Sequence, residues 1–568
     1  MTHYPRAVAV TWQTSVAQLS EAGRALLERL AWLAPEKVPE ALLDVPIPGA
    51  EAENLRDAYD DLAAYTLVTR DAEGPFFLIH RLVQDVTRRS LAAEARPQSL
   101  VEALAWLNTA FEGNSDDVRI WPTLDPLAPH ARTVIAHADA AGIAEPTGRL
   151  MNELGVLLSA KALHAEAEPL KRRALAIDEM RLGPDHPGVA TKLNNLARLL
   201  HDTNRLAEAE PLMRRALAID EKSFGPDHPR VAIRLNNLAG LLQATSRLAE
   251  AEPLMRRALA IAEKSLGPDH PEVGTKLNNL ATLLQDTNRL SEAEPLIRRG
   301  ISIFEKSFGP EHPNVATALN NLAGLLRATK RLAEAEPLLR RALAIDEKSF
   351  GLDHPDVATG LNNLATLLQD TNRLAEAEPL MRRVISIFEK SFGQEHPNVA
   401  TALNNLAGLL RATKRLAEAE PLLRRALAID EKSFGLDHPD VATTLNNLAE
   451  LLRATNRLPE AEPLMRRALT IDEKSFGPEH PNVVIRLNNL AHLLLATDRL
   501  DEAEPLMRRH VAIFVEFTRG TGHHHPHLEA AFANYARLLA AMGRSEAEIK
   551  AACAELIRPL AEGGVGPA

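Results

Sequence analysis

Along most of this chain apolar residues recur at the spacing of one helix face, and the pattern itself recurs every 42 residues. In residues 190–231, Leu193, Leu196, Ala197 and Leu200 stand at i, i+3, i+4 and i+7, which predicts an amphipathic helix, here helix A. Asp202, Thr203 and Asn204 interrupt it with residues that favour caps and turns. A second stripe follows at Leu206, Ala209, Met213, Ala216, Leu217 and Ile219, giving helix B. Pro211 has no N–H and is tolerated near a helix start, so helix B is predicted to begin only a few residues before it. The link FGPDHP ends the unit: Gly225 suits a left-handed C-cap and Pro229 the first position of the next helix A.

The pentad LNNLA marks each repeat by its first asparagine: Asn194, Asn236, Asn278, Asn320, Asn362, Asn404, Asn446 and Asn488. Imperfect copies flank the array, LMNELG around Asn152 and FANYARLL around Asn534, the latter preceded by four extra residues. A two-helix unit this short cannot bury both stripes alone, so neighbouring pairs must stack into a superhelix with a concave face. The expected fold is all-α: a right-handed α-solenoid of about nine to ten helix pairs over residues 148–568, its last unit, from about 528, a degenerate cap. Residues 320–359 and 404–443 are identical, so an 84-residue double unit has been duplicated, by neutral slippage or as tuning of groove length.

The pattern LNNLA-x-L-L, EAEPL-x-RRAL-x-I and G-x-DHP-x-VA resembles the 42-residue tetratricopeptide repeats of kinesin light chains, over roughly residues 148–565. The resemblance implies a protein- or peptide-binding module. On the helical wheel the apolar stripe of helix A leaves the first asparagine, with positions −3, +4 and +7 from it, on an adjoining face. That face is the expected concave groove, with the first-Asn ladder offering amides to a peptide backbone. The second asparagine, such as Asn195, is expected to tie helices together. Position +7 carries His201, Gln243, Gln285, Arg327, Gln369, Arg411, Arg453 and Leu495, and position +4 is often small, as at Gly240, Thr282, Gly324, Thr366 and Gly408. Forked guanidinium donors suit carboxylates, and kinesin light chains favour acidic motifs, so an acidic peptide is the implied ligand. The competing expectation pairs these arginines with neighbouring acids such as Asp286 and Asp370. Arg-Arg pairs of helix B, such as Arg214 and Arg215, are expected on the convex face, serving solubility only.

Composition narrows the function classes. With 45% hydrophobic and 25% charged residues the chain has the makeup of a folded protein, and no stretch of about 18 apolar residues offers a membrane span. Aromatics are only 4%, so the core must be built on Leu and Ala. The net charge of −11 comes from interleaved Glu and Arg with no basic stripe, so no nucleic-acid partner is expected. Cys553 is the single cysteine, and MTHYPRAVAV lacks a secretory pattern, which predicts a cytoplasmic protein. No phosphate loop, nucleophile elbow or zinc-protease helix is present, so neither catalysis nor a cofactor is expected.

Residues 1–95 follow another pattern, with 96–147, including Trp106 and Trp121, a helical connector. A helix is predicted across Val16 to Leu33, short helices near Pro39 to Leu43 and Glu51 to Ala64, strands TLVTR and PFFLIH around the turn Asp71 to Gly74, then a helix RLVQDVTRRSL. Three helices and a hairpin suggest a winged helix. Its presumed recognition helix, at residues 51–57, is acidic, which disfavours DNA. TWQTS at 11–15, LLERLAWLAP, and LIHRLVQDV at 78–86 resemble the winged-helix module of bacterial NB-ARC-type signalling ATPases. In that family a Met-His-Asp motif contacts the nucleotide phosphate; here Ile79, His80 and Arg81 stand at those places, making His80 a candidate remnant of a nucleotide sensor. With no GxxxxGK[ST] loop in the chain, an ATPase partner would be supplied in cis by a longer protein or in trans, unless the chain is a free-standing scaffold or a DNA-binding regulator.

The eight DHP-type histidines from His186 to His480 recur one per repeat at a helix start. Stacked repeats place such residues about 10 Å apart, too far to share a metal, so they read as caps. The cluster His523, His524, His525, Pro526 and His527 coincides with a degenerate copy of the same link and is not taken as a metal site.

Overall fold

The link between repeats is built from its own motif. In the computed structural model, which describes residues 14–48, 54–113, 115, 117–521, 525 and 527–562, helix A runs 16 residues, as at Pro229–Ala244, and helix B 19, as at Leu248–Leu266. Ten such pairs stand between Thr147 and Glu562 among the described residues. Helix B starts at Leu206, five residues before Pro211, which therefore lies inside the helix rather than in its first turn. Gly225 closes that helix at φ 88°, where a side chain would be strained. His228 then caps the next helix A, its Nδ1 accepting from the Arg230 N–H at 3.2 Å. Phe224, four residues upstream, stacks on that ring at 4.7 Å between centroids, and Phe308 on His312 does the same at 4.3 Å. The FGxxHP string is therefore a C-cap, an aromatic brace and an N-cap in series.

The chain forms two compact units, residues 1–199 and 200–568. In the first, three short strands form an antiparallel sheet: β1 (Val38–Pro39), β2 (Val68–Arg70) and β3 (Phe76–Ile79), in the order β1-β3-β2. Val38 faces Phe77, and Val68 faces Ile79. Helices Glu21–Leu30, Leu55–Ala64 and Arg81–Ser90 pack around this sheet on Leu26, Leu30, Leu62, Phe77 and Ile79. The first of these is shorter than its apolar pattern suggests. Ser20 interrupts it, its Oγ accepting from the Gly23 N–H at 3.0 Å, so a new helix begins at Glu21 instead of one running from Val16. Asn54 likewise caps Leu55–Ala64; the predicted start at residues 51–53 lies outside the described residues, as do residues 11–13 of TWQTS. Helix Ala95–Ala110 packs on the same core: the Trp106 Nε1–H donates to the carbonyls of Leu42 and Val45 at 3.1 Å, and Arg29 meets Glu102 at 2.8 Å.

In the 200–568 unit each pair buries its stripes against the next. Val231, Ala232 and Leu235 of one helix A meet Ala258 and Ile261 of the helix B that follows, with Leu217 and Leu254 at the margin. Outside this core runs an ionic staircase. Arg247 reaches back to Glu210 of the preceding repeat at 2.7 Å and forward to Glu250 at 2.6 Å, and Arg289 repeats the arrangement with Glu252 and Glu292. Arg257, the second arginine of its pair, bridges to Glu221 at 2.7 Å and to the Pro226 carbonyl at 3.0 Å. The assignment of helix B arginine pairs to solubility alone is thereby corrected: the second member ties a repeat to the link before it. Each exposed pair contributes only about 0.2–1 kcal/mol, but the repetition makes a network.

One inner position varies in a coupled way. Asp220 is fully buried and pairs with Arg234 at 2.8 Å, and Asp472 pairs with Arg486 at 2.8 Å. Two repeats lack the cation. Asp346 stands 14 residues before Gly360, and Asp430 stands 14 before Thr444, whose hydroxyl donates to it at 2.7 Å. Both carboxyls are nearly inaccessible, 5% and 3% exposed. Burial pushes each up to about 7, Asp356 adding repulsion at the first and Asp440 at the second. A carboxyl whose folded value is raised binds more protons folded than unfolded, so stability falls as pH rises from about 4 through about 7. Asp346→Asn combined with Asp430→Asn should flatten that fall and raise the melting temperature more at pH 8 than at pH 5, as followed by circular dichroism.

Candidate functional site

At several repeat boundaries the asparagine pair of helix A forms a rung between repeats. The second asparagine donates through Nδ2 to Oδ1 of the first asparagine one repeat earlier: Asn279 to Asn236 at 2.9 Å, Asn405 to Asn362 at 2.8 Å, Asn447 to Asn404 at 3.1 Å and Asn489 to Asn446 at 3.0 Å. Asn534 closes the series on Asn488 at 3.2 Å, and in the first unit Asn195 reaches Asn152 at 3.1 Å. The expectation of amides open on both sides is corrected at these positions, because the carbonyl half is spent on the neighbour. Asn404 also spends its Nδ2 on Thr444 Oγ1 at 2.7 Å and on the Ala400 carbonyl at 3.2 Å. Asn278 and Asn320 keep a buried Oδ1 without a hydrogen bond, and Asn194 is half-buried.

The +7 residues divide by whether the next repeat offers an acid. Gln243 donates to Asp286 at 2.5 Å and Arg327 to Asp370 at 2.8 Å, so both are tied across a repeat boundary. Arg453 is held within its own helix by Glu450 at 2.9 Å. Gln369 Nε2 lies 3.6 Å from Met381 Sδ, and Gln285 is half-buried. Arg411 differs. The place that Asp370 fills for Arg327 is Ala454 for Arg411, and its nearest acid, Glu450, stands at 3.7 Å, beyond a hydrogen bond. Its side chain is 43% exposed.

Arg411 borders a cavity of about 230 Å³ that spans three consecutive helices A. Gln369 and Thr366 come from the first, Asn404, Asn405 and Gly408 from the second, and Asn447 and Leu451 from the third. Met381 and Leu423, from two helices B, complete the lining. The cavity therefore gathers Gln369, Asn404 and Arg411 from the residues singled out in the sequence; Asn236, Asn278, Asn320, Asn362, Asn446, Asn488, Gln243, Gln285, Arg327 and Arg453 do not line it. Small residues at +4 open the space, since nothing lies within 4 Å of a Cβ built on Gly408. Met381, Leu423 and Leu451 were not foreseen as lining, because a stripe that is apolar in every repeat reads as core. The legible signal was the loss of the acid opposite Arg411.

The remaining candidates lie elsewhere. His80 caps helix Arg81–Ser90, its Nδ1 accepting from the Leu82 N–H at 3.2 Å, and its ring is exposed. Among the described residues no three His, Cys, Asp or Glu side chains converge on a metal position, and no helix is long and apolar enough to cross a membrane. His523, His524 and Pro526 lie outside the described residues.

The tetratricopeptide repeat model matches the chain in eight overlapping windows running from residue 146 to residue 514. Residues 14–96 match a family described only as a domain of unknown function, DUF7779. No curated protein matches. Among solved structures, the nearly identical repeats of a putative kinesin light chain from Podosopora anserina are 28% identical over 36% of this chain and 98% of that one, with a TM-score of 0.32. The STAND protein with a tetratricopeptide repeat sensor PH0952 from Pyrococcus horikoshii is 14% identical over 83% of this chain and 66% of that one, with a TM-score of 0.46. A Rap protein complexed with competence and sporulation factor is 13% identical over 62% of this chain and 99% of that one, with a TM-score of 0.38.

If the amide rung is structural, Asn447→Ala should cost about 1–2 kcal/mol by stranding the Asn404 carbonyl. Faster hydrogen exchange in helices Pro397–Ala412 and Pro439–Ala454 reads that loss. Arg411→Ala, which removes no hydrogen bond within the protein, should change stability by less than about 0.5 kcal/mol.

Proposed function

Because the chain belongs to the tetratricopeptide repeat family, whose stacked helix pairs serve protein interaction, we propose that its groove binds a peptide or protein segment at the cavity bordered by Arg411. The observation that carries this reading is Arg411, the one arginine at position +7 without a hydrogen-bonded acid among the described residues, beside a lining of four amides and an apolar floor. With Asn404 spent on its neighbours, Gln369, Asn405 and Asn447 are the amides left to meet the backbone of an extended ligand, Met381, Leu423 and Leu451 take an apolar side chain, and Arg411 takes a carboxylate. An acidic peptide is the ligand this chemistry fits. No catalytic role is assigned, since a row of equivalent repeats holds no convergent nucleophile, acid and base.

The wider role we propose is that of the sensor or interaction arm of an NB-ARC-type signalling ATPase. Its support is the resemblance of LLERLAWLAP and LIHRLVQDV, together with three helices packed on a small antiparallel sheet as in a winged helix. His80 stays exposed at a helix start, a position able to meet a phosphate. An in-frame P-loop domain encoded upstream of Met1 would support the cis arrangement; its absence, with no ATPase recovered as partner, would favour a free-standing scaffold. DNA binding is less favoured, because helix Leu55–Ala64 carries Asp57, Asp60 and Asp61.

The ligand is identified by affinity capture on the full chain and titrated by calorimetry against the captured peptide. Arg411→Glu should weaken binding at least about tenfold, or about 1.4 kcal/mol, with the effect shrinking at high salt. Unchanged affinity in the triple variant Arg327→Glu, Arg411→Glu, Arg453→Glu would overturn the acidic-ligand reading.

A further inference from the structure

Within the 200–568 unit, two contacts join residues that lie between five and six repeats apart. His480 Nε2 stands 2.6 Å from Ser246 Oγ across 234 residues of sequence. One repeat before His480, His438 lies against the backbone of Asp202, two residues before Asn204, the counterpart of Ser246. In both, a link histidine of a late repeat meets the C-terminal end of a helix A, or the turn after it, in an early repeat, the two registers differing by two residues. A superhelix whose neighbouring repeats rotate by a constant small step returns over itself after a fixed number of repeats, and these contacts mark where the second turn lies on the first.

The chemistry of the two rings is defined by their other nitrogen. Nδ1 of His438 accepts from the Asp440 N–H at 3.2 Å, and Nδ1 of His480 from the Asn482 N–H at 3.1 Å. With Nδ1 accepting, the neutral ring carries its proton on Nε2, which is then the donor to the facing turn. His438 and His480 are buried, both 9% exposed, whereas the equivalent His228, His270, His312, His354 and His396 are half-buried or exposed.

The early side of the seam is adapted to this contact. Ser246 occupies a left-handed turn position, φ 54°, where the other repeats of the unit carry Asn204, Asn288, Lys330, Asn372, Lys414, Asn456 and Asp498. Asparagine and aspartate tolerate that conformation better than serine does. Serine is the shortest of the set, and its hydroxyl is the group that meets His480. Two cavities flank the contact, one of about 450 Å³ lined by Leu248, Phe476, Ile513 and Phe517 among others, the second of about 510 Å³ reaching Gln243 and Asp286. The turns thus touch at a narrow seam with unfilled space beside it, unlike the close-packed interface between successive repeats.

We propose that the repeat superhelix is a latched coil, its successive turns held by the hydrogen bond between His480 and Ser246 and the contact of His438 with Asp202, and able to extend when these part without unfolding any repeat. Extension is shared among the repeats as a small change in each crossing angle, so no single interface has to break. The cavity bordered by Arg411 lies on repeats between the two latched sides and spans three helices A, so a ligand seated there would favour one spacing of the coil. That last consequence rests on the groove reading; the latch does not.

Two sets of variants of the full chain test the latch by small-angle scattering. Ser246→Lys installs the residue found at Lys330 and Lys414, so it suits the turn but crowds His480. His438→Asn combined with His480→Asn keeps a good helix cap but is too short to cross the seam. Both should raise the radius of gyration and maximum dimension with helical circular dichroism unchanged, whereas Asn372→Lys and His312→Asn, the same changes in other repeats, should not. Unchanged dimensions in both seam variants would overturn the proposal. So would loss of helicity in both, which would mean the contacts hold the repeats themselves together. Loss of ligand binding by Arg411→Glu with scattering unaltered would leave the latch standing and separates its fate from that of the groove.

Discussion

Neither helix of a repeat can bury its apolar stripe without the next repeat, and this dependence on the neighbour organises the rest of the molecule. Leu and Ala dominate the stripe because two helices that must approach on both sides need small or flexible side chains: Ala209, Ala216, Ala251 and Ala258 are all fully buried. Every polar device then serves the same boundary. The amide rungs join helices A inside the groove, the Arg247-type bridges join helices B outside it, and the FGxxHP links fix where each helix ends. Apart from the seam at Ser246 and His480, each repeat touches its neighbours, so stability is close to a sum of local terms and a defect at one boundary stays largely local.

That locality explains why coupled substitutions are visible in a single chain. A buried aspartate on helix B is met by arginine on the following helix A at Asp220 and Asp472, while Phe304 and Phe388 at the same place are met by Ala318 and Ala402. Charge is paired with charge and bulk with a small residue. The two duplicated units keep the aspartate at Asp346 and Asp430 but follow it with Gly360 and Thr444. A desolvated carboxyl without a cation holds its proton, and burial accounts for the raised values of both.

The groove obeys the same rule. Its polar groups are mostly consumed by neighbouring repeats, as at Arg327 and Asp370 or Gln243 and Asp286, and a regular array would offer a ligand little. The register of compensation fails at one rung: Ala454 stands where an aspartate would have closed Arg411, and Gly408 leaves room beside it. In the proposed reading, recognition is concentrated there.

The sequence by itself determined the period, the two helices of each repeat, their caps and the packing stripe, because these depend on contacts within about one repeat and on the φ and donor restrictions of Gly, Pro and His. It also indicated the helices and hairpin of the N-terminal unit, though not that Ser20 restarts the first helix or that Val38 and Pro39 add a third strand to the sheet. Only the tertiary structure decided how the polar faces are spent. A helical wheel places Asn404 beside the groove but cannot know that Asn447 occupies its carbonyl, and it places Met381 in the core without showing that it floors a cavity. The meeting of Ser246 with His480 is further still from local pattern, since it depends on the rotation accumulated over more than five repeats, a sum of small crossing angles that no single repeat encodes.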